Sequence, residues 1–159
     1  MKILSSLSIL TIILVSFSAC TKTNNGPVAV NNHVEYVTAS TTGSFAGTFY
    51  AYDSTITAVK NTTGLHPVTS ITAGSSVGTL IGSSLSFVIW DYPVTTGTYQ
   101  LDSVNATAEY LHFPDGGGVA RRPGGTLVLT SVTPYITGTY TFTCTDLTIV
   151  TGSLNVVAP

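Results

Sequence analysis

Hydrophobic and polar residues alternate along much of this chain. From Ile136 to Cys144, Ile136, Tyr140, Phe142 and Cys144 share one parity with Gly138, and Thr137, Thr139, Thr141 and Thr143 share the other. A period of two sends successive side chains to opposite faces of a strand. The pattern therefore predicts a strand with one apolar face and one threonine face. Threonine is β-branched, which favours extended backbone while keeping that face soluble. Cys144 falls on the apolar side and reads as a buried structural thiol. Over Ser84–Asp91 the same reading points Leu85, Phe87 and Ile89 inward, and Ser84, Ser86, Val88 and Trp90 outward. Leu127 and Leu129 point inward over Thr126–Thr130, as do Leu154 and Val156 over Ser153–Val157. Further strands are expected over Val34–Thr38, Phe45–Tyr52, Thr55–Lys60, Val68–Ala73, Val77–Ile81, Thr98–Val104 and Ala106–Phe113.

Turn-forming groups punctuate these segments: Asp53-Ser54, Thr63-Gly64, Ala73-Gly74-Ser75, Thr95-Thr96-Gly97, Asp115-Gly116-Gly117-Gly118, Pro123-Gly124-Gly125 and Thr151-Gly152. Many short strands with frequent turns predict an all-β fold, an antiparallel sandwich or an up-and-down barrel of roughly 8–10 short strands. Connections this short predict that most neighbouring strands pair as hairpins. Composition agrees. Charged residues make up 8% of the 159 residues, where about 25% is usual for soluble domains. The formal net charge is −2, so no basic surplus exists to neutralise phosphates, and nucleic acid is excluded as a partner. A hydrophobic content of 43% is enough to bury a core.

The N-terminus reads differently. Lys2 provides a positive start, Ile3–Phe17 an apolar stretch, and Ser18 and Ala19 the small residues before Cys20. The stretch is too short for a permanent span. Phe17-Ser18-Ala19-Cys20 resembles a bacterial lipobox, with Phe17 where that motif usually has Leu or Val. The resemblance implies a diacylglyceryl group on the Cys20 thiol and an acylated new amino terminus. Each buried CH₂ contributes about 0.8 kcal/mol, so several chains together hold a protein to a bilayer. The other reading is secretion with cleavage after Ser18, using Ser16 and Ser18 as the small residues. The expected organisation is a lipoprotein signal peptide at 1–19, a lipid anchor and flexible tether at 20–33, and a single all-β domain at 34–159. The tether rests on the polar, aperiodic run Thr21–Asn32. Thr21 after the cysteine favours the outer membrane, and Thr21-Lys22-Thr23-Asn24 favours its periplasmic face, because it lacks the acidic run that resembles a surface-export signal.

Several pieces then follow in a telling order. Thr96-Gly97-Thr98-Tyr99-Gln100-Leu101 comes first, then Gly124-Gly125-Thr126-Leu127-Val128-Leu129. Ile136-Thr137-Gly138-Thr139-Tyr140-Thr141-Phe142 follows, and Val150-Thr151-Gly152-Ser153-Leu154-Asn155-Val156 closes the series. This order resembles small β-rich lipoproteins of Bacteroidota that carry domains of unknown function. The resemblance covers about Gly82 to Val157, and Leu154 stands where that pattern prefers Phe. It implies fold and location, and transfers no catalytic residue.

Candidate chemistry is sparse. Gly74-Ser75-Ser76-Val77-Gly78 matches the G-x-S-x-G nucleophile elbow, but β-like, glycine-broken sequence follows where the elbow needs a helix. Asp91 or Asp102, then His112, would complete a triad order with Ser76. His33, His66 and His112 are widely spaced and form no metal-ligand motif. The carboxylates Glu35, Asp53, Asp91, Asp102, Glu109, Asp115 and Asp146 show no acid/base pair of the kind glycoside hydrolysis needs. Asp115–Gly118 lacks the lysine and helix of a phosphate loop, and Arg121-Arg122 is too small a patch for nucleic acid. No cofactor or metal is implied. Trp90 and Tyr92 are the candidate binding residues. Trp90, on the polar parity of its strand, either covers a loop or forms an exposed platform with Tyr92 for a sugar or a protein partner. The expected function is a non-enzymatic binding or accessory lipoprotein of the cell envelope. Its partners would be a membrane, through Cys20, and a glycan or an envelope protein. A structural partner of an outer-membrane protein ranks second and a small hydrolase third.

Overall fold

Each alternating segment needs a second apolar face to cover its own, and the chain supplies it by stacking two sheets. The computed structural model describes residues 34–64, 66–112 and 121–159, within a compact unit spanning Asn32–Pro159. The strands are β1 Tyr36–Thr42, β2 Gly47–Tyr52, β3 Ile56–Asn61, β4 Val68–Gly74, β5 Val77–Gly78 and β6 Ser84–Ile89. β7 Gly97–Gln100, β8 Ala106–Leu111, β9 Arg121–Ser131, β10 Tyr135–Cys144 and β11 Ile149–Val157 complete the set. A large sheet has the order β5-β2-β1-β11-β10-β9-β7, and a small sheet the order β3-β4-β6-β8. Every pairing among them is antiparallel. The sheets pack as a sandwich and do not close into a barrel.

The faces fall where the alternation puts them. Leu85, Phe87 and Ile89 are buried, as are Leu127, Leu129, Ile136, Tyr140, Phe142, Cys144, Leu154 and Val156. The sheets meet through aromatic rings: Phe87 lies 4.7 Å from Tyr140 and edge-on to Phe142 at 6.3 Å. Such pairs add about 0.5–1.5 kcal/mol beyond the area they bury. The Tyr140 hydroxyl reaches beneath β11 and donates to the Thr38 carbonyl of β1 at 2.8 Å. Gly152 opens that route, since a Cβ there would stand 1.9 Å from the Thr38 oxygen and 2.6 Å from the Tyr140 hydroxyl. Burial pushes the Tyr140 phenol above its ordinary range and keeps it protonated as a donor. Burial, with Asp146 adding to it, pushes the Cys144 thiol up to about 12, the behaviour of an inert structural cysteine.

The opposite face of the large sheet is a grid of hydroxyls. Tyr50, Thr38, Ser153, Thr139, Val128 and Thr98 stand in one row across β2, β1, β11, β10, β9 and β7. Thr48, Ser40, Thr151, Thr141, Thr126 and Gln100 form the next. Adjacent strands lie about 4.8 Å apart, which lets neighbouring hydroxyls pair. Thr38 meets Ser153 at 3.1 Å, Thr141 meets Thr151 at 3.0 Å, and Thr130 meets Thr137 at 3.0 Å.

The connectivity departs from the sequence reading. Only β1–β2, β3–β4, β9–β10 and β10–β11 pair as sequence neighbours, and the other connections carry the chain between sheets. A strand forms at each of the eleven expected segments, and β5, of two residues, is the shortest of them. The strand expected over Val77–Ile81 stops at Gly78, where φ is +101°, and Leu80 turns inward to be buried. β1 starts later than expected and runs to Thr42. β7 ends at Gln100, because Asp102–Asn105 forms a turn, and β9 is longer than its apolar centre.

The face assignment sets a mutational contrast. Phe142→Ala removes a buried ring and should cost about 3–5 kcal/mol in denaturant unfolding. Thr141→Ala on the exposed face should cost well under half of that, and equal costs would mean the register is displaced by one residue.

Candidate functional site

Loops at one end of the sandwich hold the sequence-predicted pair. β6 ends at Ile89, and the Trp90 amide still donates to the Asn105 carbonyl at 3.0 Å, so the ladder carries one residue past the strand. Opposite parity to Ile89 turns the Trp90 side chain outward, and it is 42% exposed. The neighbouring turn is built by Asp102. One carboxylate oxygen accepts the Val104 and Asn105 amides, both at 2.9 Å, and the other accepts the Asn105 side-chain amide at 2.9 Å. These hydrogen bonds hold the Asp102 carboxyl below its usual range. Ser103 takes φ +69° inside the turn, which leaves Val104 74% exposed. Trp90, Val104, Ser103 and His66 line an open depression of about 450 Å³.

A second cleft adjoins it, of about 350 Å³, lined by Asp91, Thr95–Gln100 and Asn105. Its lining is carboxylate, hydroxyl and amide, with one phenol. Tyr99 is fixed there, its hydroxyl accepting from the Thr95 amide at 3.0 Å and donating to the Thr95 carbonyl at 3.0 Å. An aromatic face beside a polar cleft is the arrangement that grips a ligand with apolar faces and hydroxyl edges.

Tyr92, in the same loop, opens onto a different space. It is half-buried, with the Lys60 ammonium 5.5 Å from its ring centroid, a cation–π distance. With cis-Pro93, Val94, Thr69, Val132 and Ile136 it lines a small cavity of about 100 Å³. Trp90 and Tyr92 therefore open onto different depressions rather than one shared platform.

The remaining candidates scatter. Ser76 lies in the β4–β5 connection, its amide donating to the Tyr50 carbonyl at 3.0 Å. His112 bonds Ser83 instead, with Nδ1 2.8 Å from the Ser83 hydroxyl, and both residues are buried. Tyr110 donates to the same hydroxyl at 3.5 Å, and Phe45 packs 4.6 Å from the imidazole. Ser84 pairs with Leu111 and Ile89 with Ala106. His112 thus lies at one end of β6, and Asp91 and Asp102 at the other, about 20 Å away. Ser76, His112 and either aspartate do not converge. The Ser83–His112 pair escaped the sequence reading because 29 residues separate its members. Among the described residues no group of three His, Cys, Asp or Glu side chains gathers. Cys20, His33 and Asp115–Gly118 lie outside the described residues.

A further feature lies on the outer face of the large sheet. Tyr50 and Tyr52 project from β2 with rings 6.5 Å apart and planes 2° from parallel. Tyr36 of β1 stands opposite Tyr52. A depression of about 260 Å³ opens beside Tyr50, lined by Thr38, Ala39, Ser40, Thr48, Thr151 and Gly152. The sequence signal was Tyr50-Ala51-Tyr52, in which Phe49 and Ala51 take the buried parity.

Comparison with family models, with curated proteins and with solved structures finds no match.

The Asp102 turn has a definite acid response. A carboxyl with a depressed folded pKa contributes order that is complete above the unfolded value, about 3.9, and lost as pH falls through the folded one. The Val104 and Asn105 amide NMR shifts should hold steady from neutrality to about pH 4 and move only below it. Asp102→Ala should remove that titration.

Proposed function

We propose that the protein is a non-enzymatic glycan-binding module of the cell envelope. It is held to the outer membrane, on the periplasmic face, by lipid on Cys20, in the manner of the β-rich lipoproteins its sequence resembles. The observation that carries the ligand class is Trp90. A large aromatic ring stands exposed on a rigid strand end, between an apolar tip at Val104 and a cleft of hydroxyl, amide and carboxylate groups. A pyranose ring presents an apolar C–H face and polar edges, and the two parts of this surface match those in turn. Stacking on an exposed, pre-positioned ring also orders few new side-chain torsions, which keeps the entropic cost of binding low.

Trp90 is the only tryptophan in the chain, so its emission reports on the site directly. It should be red-shifted and readily quenched in the free protein. Screened oligosaccharides that bind should shift it blue, and Trp90→Ala should weaken them by about tenfold or more. Blue, unquenched emission in the free protein, or binding indifferent to Trp90→Ala, would remove this surface from the function. An envelope protein is the second reading, favoured by the exposed Val104 beside Trp90. Co-purification without added glycan, lost in Val104→Asp, would support it.

The anchor is tested separately. Cys20→Ser should abolish incorporation of labelled fatty acid and release the protein from membranes. Continued sedimentation with membranes, together with an amino terminus at Ala19, would refute lipidation at Cys20.

A further inference from the structure

We propose that the outer face of the large sheet is a second glycan-contact surface, one that takes neutral polysaccharide strands across β2, β1 and β11. It shares its ligand class with the reading of the loop end, but its residues on β2, β1 and β11 are separate from that site, which the two rows meet only at Thr98 and Gln100 of β7.

Charge is the first argument. Neither row of the hydroxyl grid contains a carboxylate, ammonium or guanidinium group. Lys60 and Glu109 belong to the small sheet. An anionic polymer would find no counter-charge on the grid, whereas a neutral polyol has no charge to desolvate. The centre of the face argues against a protein partner. Protein interfaces concentrate aromatic and apolar groups at their centre and are depleted in serine. Here the centre is Thr38, Ser40, Thr151 and Ser153, with no apolar side chain between them.

The hydroxyls keep capacity for a ligand. Each offers one donor and two acceptor sites. Pairing Thr38 with Ser153, or Thr141 with Thr151, uses one donor per pair and leaves the other donor and spare lone pairs facing out. Tyr50 and Tyr52 add the aromatic element at the β2 end of this track, where two parallel rings 6.5 Å apart on one strand border the hydroxyl rows and meet the sugar that reaches β2. The depression beside Tyr50 receives a substituent of the bound ring. Twist selects the physical form of the polymer. Strands rotate by about 20–25° from one to the next, so this sheet cannot lie flat on a crystalline fibre. Single soluble strands can follow it.

The test is affinity electrophoresis of the full-length protein in detergent through gels containing hydroxyethylcellulose, galactomannan or anionic polygalacturonate. Retardation is expected in the first two and not the third. Tyr52→Ala and Thr151→Glu, both at exposed positions, should each weaken retardation by about tenfold, with thermal unfolding unchanged. Trp90→Ala should leave residual retardation that Tyr52→Ala then removes. If Tyr52→Ala and Thr151→Glu migrate like the parent while Trp90→Ala runs free, the second surface is refuted and the loop-end reading stands. If retardation persists in Trp90→Ala and is lost in both face variants, the face is the site and the loop end is not. Free migration of the parent through every neutral gel refutes both.

Discussion

The contact between Phe87 of the small sheet and Tyr140 and Phe142 of the large one holds the two layers in place. Neither sheet can exist alone in water with its apolar side uncovered, and these rings fix both the spacing and the alignment of the layers. Tyr140 also ties the seam to the strand order. Its hydroxyl passes under Gly152 to the Thr38 carbonyl, linking β10 to β1 across β11. Any side chain at 152 would collide with that link. The core is thus positioned by one aromatic cluster and by one glycine that lets a phenol reach across a strand.

Repeated crossing between the layers determines where binding groups can stand. The chain leaves β6 at Trp90 and re-enters the large sheet at β7. It returns to the small sheet at β8 through the Asp102 turn. β6 and β8 have inner residues sealed in the core, and β7 is held by its pairing with β9. The loops between them therefore have fixed ends, and Trp90, Val104 and the Thr95–Gln100 segment are held close together. The opposite end of β6 takes the buried polar groups, where Ser83, His112 and Tyr110 satisfy one another. A buried hydroxyl or imidazole without a partner would cost about 1–3 kcal/mol, which accounts for the clustering of those residues without a substrate.

Parity made the faces legible in the sequence. Leu85, Phe87 and Ile89 inward and Trp90 outward follow from period two alone, as do the four threonines of β10. The limits of strands were less legible, because turns decide them. Gly78 takes a positive φ that ends β5, and Asp102 captures two amides that would otherwise extend β7. Pairing partners were legible only for the four hairpins between sequence neighbours, since a register depends on both strands. For that reason the split between Trp90 and Tyr92, and the meeting of His112 with Ser83, appear only in three dimensions. The parallel tyrosines were half visible: Phe49 and Ala51 fix the inner parity of β2, and Tyr50 and Tyr52 then share the outer one.

A β-protein with so few charges faces a hazard at its edges, where unpaired strands invite pairing with other chains. The large sheet ends in β5, of two residues, and β7, of four. Short edges offer little template. The small sheet has longer edges, β3 and β8, and these carry Lys60 and Glu109. Charge is thus placed where it blocks edge-to-edge pairing and is absent from the two hydroxyl rows of the outer face, which their hydroxyls keep wet. A threonine face needs no charge for solubility, because each hydroxyl bonds water or its cross-strand neighbour equally well. That exchangeability keeps the large sheet soluble and, in the proposal made above, lets sugar hydroxyls replace the water.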